Sequence, residues 1–255
     1  MTALPPSGEA LRISQEEGYV LARLHRPEVR NAIDETMVRE FHQLCEYLER
    51  EPAILVITGC TVNGKGIFAS GADIRQLRER RTADALRGVN STLFHRIKRL
   101  PMPVIAAIDG YALGGGLELA LAADFRIATE GATFGQPETG LGIIAGAGAL
   151  WRLTTLVGEG VANEILMAGR RLSAAEALRH GLLTEVTTSE NLLDAAAELA
   201  RRIGKNDPLA VRLSKELLAM PESAHPAVDA LAQAICFESP EKFRRMDAFL
   251  ERKHS

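Results

Sequence analysis

Gly110-Tyr111-Ala112-Leu113-Gly114-Gly115-Gly116-Leu117-Glu118 is the stretch on which the fold turns. The residues before it, Val104–Ile108, form an unbroken apolar run and predict a strand buried on both faces. Those after it, Leu117–Ala123, predict a helix. Three glycines opening a helix leave backbone N–H groups bare, where they bind developing negative charge. The same glycines also suit a tight turn with close helix–strand packing. Glu118 stands in the first helical turn. Taken alone it reads equally well as a helix-dipole carboxylate facing water. Twenty residues on, Phe134-Gly135-Gln136-Pro137-Glu138 supplies a second carboxylate, which alone reads equally well as a solvated loop acid. Together, two carboxylates in apolar, glycine-rich surroundings beside an anion-binding turn suggest acid–base chemistry at a carbonyl.

Upstream the pattern repeats. Ile54–Gly59 is a β-branched apolar run, Asn63–Gly71 a glycine-rich loop, and a helix follows from Ala72 or Asp73 to about Arg80. The unit of buried strand, glycine-rich loop and helix thus occurs at 54–77 and again at 104–123, which predicts a mixed α/β (α+β) body. Phe125–Ala128 reads as a third strand. Tyr19–Leu24 reads as a strand that pairs with Leu11–Ser14 across Glu17-Gly18, and Arg26–Asn31 as a loop. Asp34 caps a helix carrying Met37, Phe41, Leu44 and Leu48 at helical spacing. Past Gly146-Ala147-Gly148 the chain turns helical. Ser173-x-x-Glu176 is a capping box, its helix ends at His180-Gly181, and Thr184–Val186 is a short strand. Helices follow over Leu192–Ile203, Pro208–Ala219, Pro226–Phe237 and Ser239–Lys253. A boundary near Arg202 divides a mixed α/β body, 1–202, from a C-terminal helical region, 203–255.

The chain has 255 residues and a net charge of −3 with both signs interspersed, a balance that does not suit nucleic acid or an anionic membrane. No apolar run reaches the roughly 18 residues that span a bilayer. Met1–Ser14 lacks the layout of a signal peptide. Cys45, Cys60 and Cys236 form no CxxC pair and are expected to be buried free thiols in a reducing, cytoplasmic compartment. The six histidines show no metal-ligand spacing, so no metal is expected. His42 and His180 fall within helical patterns and read as surface or packing residues.

The glycine stretch resembles the crotonase superfamily, the enoyl-CoA hydratase/isomerase family. So do Pro101-x-Pro103 ahead of it and Phe68-Ala69-Ser70-Gly71-Ala72-Asp73-Ile74. Arg26-Pro27…Asn31-Ala32, Asp124-x-Arg126-Ile127-Ala128, Phe134–Glu138, Gly169-Arg170…Ala174-x-Glu176-Ala177 and Ala248–Lys253 match in order. The resemblance implies a spiral of repeated β-β-α units with a C-terminal helical trimerisation region. It also implies acyl-CoA thioester substrates, an enolate-like intermediate and no cofactor beyond the CoA of the substrate. The thioester oxygen would be held by the N–H groups of Ala72 and Gly115. Glu118 and Glu138 would hold the water that adds across the double bond, as in hydratases, with the roles of the two acids left open. Ala69, Ser70, Ala72, Asp73, Ile74 and Arg75 would line the CoA, together with Gly115. Arg75 alone reads nearly as well as a solvated helix residue. Arg252 and Lys253 match a basic pair that in relatives reaches a neighbouring subunit's CoA, although alone they merely suit a helix C-terminus. A homotrimer or dimer of trimers is implied. The expected reaction is hydration of a trans-2-enoyl-CoA. A 3-enoyl-CoA isomerase and a non-catalytic acyl-CoA-binding protein are the alternatives.

The chain departs from the family pattern at Ala145, Ala149, Leu150 and Trp151, where proline, glycine, threonine and glutamine are common. Arg245 stands where glycine is common, and the chain ends at His254-Ser255. Trp151, the sole tryptophan, reads as core packing or as a residue that reshapes the acyl pocket.

Overall fold

The computed structural model describes Ala3 to Arg252. Its first half alternates strands with helices: β1 (Leu11–Glu16), β2 (Tyr19–Leu24), α1 (Glu35–Arg50), β3 (Ile54–Thr58), β4 (Cys60–Val62), β5 (Lys65–Ile67), α2 (Ile74–Glu79), α3 (Thr82–Arg87), α4 (Val89–Lys98), β6 (Val104–Ile108), β7 (Tyr111–Leu113) and α5 (Gly115–Ala122). Then come β8 (Phe125–Thr129), β9 (Thr133–Gly135), α6 (Ala149–Val157), α7 (Glu159–Leu166), β10 (Leu172–Ser173), α8 (Ala174–Arg179) and β11 (Glu185–Thr187). Helices close the chain: α9 (Leu192–Gly204), α10 (Pro208–Leu218), α11 (Ala227–Phe237) and α12 (Pro240–Arg252).

The larger sheet runs β1-β2-β3-β6-β8-β11, with only the β1–β2 hairpin antiparallel. Every residue of β3 and β6 is buried, as two-sided coverage of a parallel strand requires. A second sheet runs β10-β9-β7, with β7 parallel to β9. The turns β6–β7–α5 and β8–β9–α6 each lay a strand in the large sheet, a short strand in the second, and then a helix, whereas the short strands after β3 pair with each other as a β4–β5 hairpin. The unit β8–β9–α6 is a further turn that the sequence did not display, because a three-residue strand carries too little pattern to read.

Other differences from expectation are local. The glycine-rich loop before α2 contains the β4–β5 hairpin, which turns at Asn63-Gly64 with φ of 50° and 74°, the left-handed pair such a turn demands. The Arg26–Asn31 loop holds a short 3-10 turn at Pro27–Val29. Helix α5 begins on the second glycine, Gly115, not after the third. Of the cysteines only Cys45 is buried, and burial pushes its thiol up to about 12; Cys60 and Cys236 are half-buried, and all are free.

Two caps fix helix starts as the sequence indicates. Asp34 accepts from Met37 N at 2.8 Å, and Ser173 with Glu176 closes a capping box. Met37, Phe41, Leu44 and Leu48 of α1 pack with Leu55 and Ile57 of β3 and with Leu93, Phe94 and Ile97 of α4 in one core. Each such side chain stabilises the fold by about 1.5–3 kcal/mol. The chain forms two compact units, one ending at Ala200 and the other starting at Arg201, while the sequence places its boundary at Arg202. Among the described residues no helix is long and apolar enough to cross a membrane. Lys253, His254 and Ser255 lie outside the described residues, as do Met1 and Thr2.

Candidate active site

Ala72 is positioned by a network that starts at Asn31. This fully buried side chain donates to the carbonyls of Ile67 and Phe68, both at 3.0 Å, and accepts from Arg26 N at 2.8 Å. Ile33 then bridges Ala72 in parallel: Ile33 N donates to Gly71 O at 2.8 Å and Asp73 N to Ile33 O at 3.0 Å. Those bonds use the groups on either side of Ala72, so its own N–H is directed away from Ile33. Asp73 caps α2 through Arg75 N at 3.0 Å and Gln76 N at 3.3 Å. Arg26 pairs with Asp34 at 3.1 Å and approaches Asp73 at 3.8 Å, which ties together the starts of α1 and α2.

The three glycines answer three separate demands. Gly114 has φ of 51°, and a Cβ on it would lie 2.7 Å from Glu138 Oε1. At Gly115 a Cβ would fill the space 3.3 Å from Ala72 N. Gly116 backs onto Ala69, whose carbonyl oxygen would be 2.3 Å from an added Cβ. The turn therefore brings the start of α5 against the start of α2. The N–H groups of Ala72 and Gly115 share one small space, and no described residue accepts from either.

Glu118, on α5, is 4% exposed. Its Oε1 accepts from Ala147 N at 2.6 Å and from Ala149 N at 3.2 Å, so the loop leading into α6 grips it. Burial raises its pKa; those two N–H groups and the Arg152 guanidinium oppose the rise. Arg152 also donates to Ala147 O at 3.4 Å. Glu138 is half-buried at the mouth of the same space. Burial, helped by the charge of Glu118 and opposed by its own backbone N–H, pushes its pKa up to about 7. Buried Gln136 reaches Glu138 Oε2 at 2.9 Å and Gly114 O at 3.3 Å in the amide orientation that satisfies both. Burial shifts both acids toward their protonated forms, but Glu118 has two loop N–H donors and a guanidinium opposing that shift, whereas only its own backbone N–H opposes it at Glu138.

Both acids open onto a cleft of about 830 Å³. Ser70, Ala72, Ile74 and Gly115 line it, as the sequence indicates for the CoA side. Ala69, fully buried behind Gly116, Asp73, which caps α2, and exposed Arg75 do not line it. Apolar Leu77, Leu141, Ile143 and Ile144 also line the cleft. Asn90, on α4, is a lining residue that sequence reasoning missed, since 81–100 yielded no motif or strong periodicity. Arg152 was also missed, although it falls within the stretch compared with the family pattern.

Trp151 corrects both of its sequence readings. It is 54% exposed, so it is not core, and it does not line the cleft. Its ring lies 5.1 Å from the Arg152 guanidinium carbon, where it supports that cation beside Glu118. Ala145 and Ala149, by contrast, are buried at the two ends of the turn that holds Glu118, and Ala149 N is one of its donors. Among the described residues no group of three His, Cys, Asp or Glu side chains is arranged to hold a metal.

Comparison with known proteins agrees with this geometry. The family model described as enoyl-CoA hydratase/isomerase matches residues 14–255. The chain is 36% identical over 250 residues to the short-chain-enoyl-CoA hydratase of Clostridium acetobutylicum, covering 94% of this chain and 95% of that protein. It is 36% identical over 253 residues to the crotonyl-CoA hydratase of Syntrophomonas wolfei, covering 96% of each. The crystal structure of enoyl-CoA hydratase from Bacillus anthracis superposes with a TM-score of 0.89 at 32% identity, over 95% of this chain and 96% of that one. With the spiral fold, the paired acids and the family match across nearly the whole chain, this protein belongs to the enoyl-CoA hydratase/isomerase family of the crotonase superfamily.

Proposed function

We propose that this protein is an enoyl-CoA hydratase, a hydro-lyase that reversibly adds water to a trans-2-enoyl-CoA to give a 3-hydroxyacyl-CoA. One observation carries the reading: Glu118 and Glu138 face a single cleft beside the converging Ala72 and Gly115 backbone. The names of the relatives, short-chain-enoyl-CoA and crotonyl-CoA hydratase, support a short acyl chain.

In this reading the thioester oxygen accepts from the N–H groups of Ala72 and Gly115, which polarises the conjugated double bond. A water sits between the acids. Ala147 N, Ala149 N and Arg152 offset part of the burial of Glu118, and its anion takes a proton from that water as the water oxygen bonds to Cβ. The electron pair of the double bond moves onto the thioester as an enolate. Glu138, protonated up to about pH 7, delivers a proton to Cα. One water is consumed, and the acids exchange protonation states before resetting through solvent. Each backbone donor lowers the barrier by roughly 3–4 kcal/mol, and each acid–base partner contributes about 10²–10⁴-fold. The proton transfers need no metal or redox cofactor.

The protein is also read as a homotrimer or dimer of trimers in the cytoplasm. Leu231, Ile235 and Phe237 of α11 and Phe243, Met246 and Phe249 of α12 are more than half exposed or nearly so, and light scattering of the intact chain tests whether they are covered between copies. Free cysteines support a reducing compartment.

A panel of 2-enoyl- and 3-enoyl-CoA esters, followed by thioester absorbance, tests the activity. Loss of conjugated absorbance with crotonyl-CoA is expected. A gain of absorbance with 3-enoyl esters alone would make the protein an isomerase, and tight binding without any change would make it a binding protein.

A further inference from the structure

Asn90 is the second residue of α4, and its backbone is fixed on both sides. Gly88 before it takes φ of 59°, Ser91 Oγ donates back to Gly88 O at 3.0 Å, and Leu93, Phe94 and Ile97 anchor the helix in the core. The side chain lines the cleft. Its Oδ1 is sealed from solvent and accepts no hydrogen bond, and Nδ2 donates to no described residue. An acceptor buried without a donor costs about 1–3 kcal/mol. That acceptor faces away from any ligand oxygen; the end of the amide that can meet one is Nδ2, which no described residue engages and which lies on the cleft side, near Gly115.

The direction of the amide says which part of the ligand. The space that a Cβ on Gly115 would occupy lies 3.3 Å from Ala72 N and 3.9 Å from Asn90 Nδ2. Three nitrogens therefore border one small volume: the backbone N of Ala72, the backbone N of Gly115 and the amide of Asn90. The reverse amide orientation would set a carbonyl oxygen against a developing oxyanion and bury the NH₂ without an acceptor.

We propose that Asn90 is a third oxyanion donor, its Nδ2–H binding the thioester oxygen alongside the N–H groups of Ala72 and Gly115. The assignment rests on the hydratase reading for its substrate, while the enolate-binding arm of its test does not. Asn90 strengthens its bond as charge moves onto the thioester oxygen, so it acts on the enolate more than on the ground state.

The test compares Asn90→Leu and Asn90→Asp with the wild type in the intact protein. The probe is acetoacetyl-CoA, a 3-oxoacyl-CoA whose enolate absorbs in the near ultraviolet. Enolate binding in Asn90→Leu is expected to weaken roughly 100-fold, and kcat on crotonyl-CoA to fall by a similar factor, with little change in KM. The melting temperature should stay level or rise, since an unsatisfied amide is removed. Asn90→Asp, which places an anion there, should lose more than Asn90→Leu. If leucine prevents folding, Asn90→Ser reads the same quantity. Unchanged enolate binding in a folded variant would overturn the proposal, as would an equal loss of binding for CoA itself. A wild type that stabilises the enolate but hydrates no enoyl-CoA would sink the hydratase reading while leaving the role of Asn90 standing.

Discussion

Glu138 lies directly against Gly114: a Cβ added to that glycine would sit 2.7 Å from Glu138 Oε1, at a backbone φ of 51°. Gly114→Ala therefore meets two obstacles, a left-handed backbone and a carboxylate with little room to retreat, because Gln136 also contacts it. The variant is expected to lose hydration by about 100-fold or more while circular dichroism shows the helices retained. Near-normal turnover would mean that Glu138 tolerates displacement and does not act from this position.

The pH dependence follows from the different surroundings of the two acids. Hydration needs Glu118 ionised and Glu138 protonated, so kcat/KM should rise as Glu118 loses its proton and fall as pH passes about 7, where Glu138 loses its own. The limbs belong to the pair as a coupled unit. A profile flat from pH 6 to pH 9 would contradict the assignment of Glu138 as the acid.

Glu138 also predicts a stability effect. Its folded pKa, about 7, exceeds the ordinary carboxylate value of 4.5, so between those values the folded state binds more protons than the unfolded one. Its favourable contribution is complete below pH 4.5 and is lost as pH rises through 7. Relative to the wild type, Glu138→Gln should therefore gain melting temperature on going from pH 5 to pH 8. Thermal melts at both values check this, and a pH-independent difference would refute the raised pKa.

Arg152 lies close enough to Glu118 for its charge to favour the Glu118 anion. Arg152→Gln should move the acidic limb of the rate profile upward by up to about one pH unit, because the anion loses a stabilising charge. Trp151→Ala should produce a smaller shift in the same direction, since the ring supports the guanidinium at 5.1 Å. If both variants keep the wild-type profile and lose only thermal stability, Arg152 merely braces the loop.

Legibility in the sequence followed the strength of local patterns. Runs such as Ile54–Thr58 and Val104–Ile108 were readable because complete burial leaves no polar residue to interrupt them. Asp34 and Ser173 were readable because capping chemistry sits at fixed offsets. The short strands β7, β9 and β10 were not, because their pairing is set by distant partners and not by their own three or fewer residues. Helices α3 and α4 were missed because charge runs through Arg78–Arg87 and only Leu93, Phe94 and Ile97 mark a buried face. In the site, Glu118, Glu138, Ala72 and Gly115 were legible through ordered motifs. Asn90 and the pairing of Trp151 with Arg152 depend on contacts made in space, which leave no spacing to read.

The central claim is that Glu118 and Glu138 act together on one water over a thioester held by Ala72 and Gly115. Its most direct test is the rate at which conjugated absorbance of crotonyl-CoA disappears with wild type, Glu118→Gln and Glu138→Gln at pH 7. Rapid loss is predicted for the wild type, with each variant slowed by at least about 10²-fold while still binding the thioester. Normal turnover in either folded variant would contradict the account.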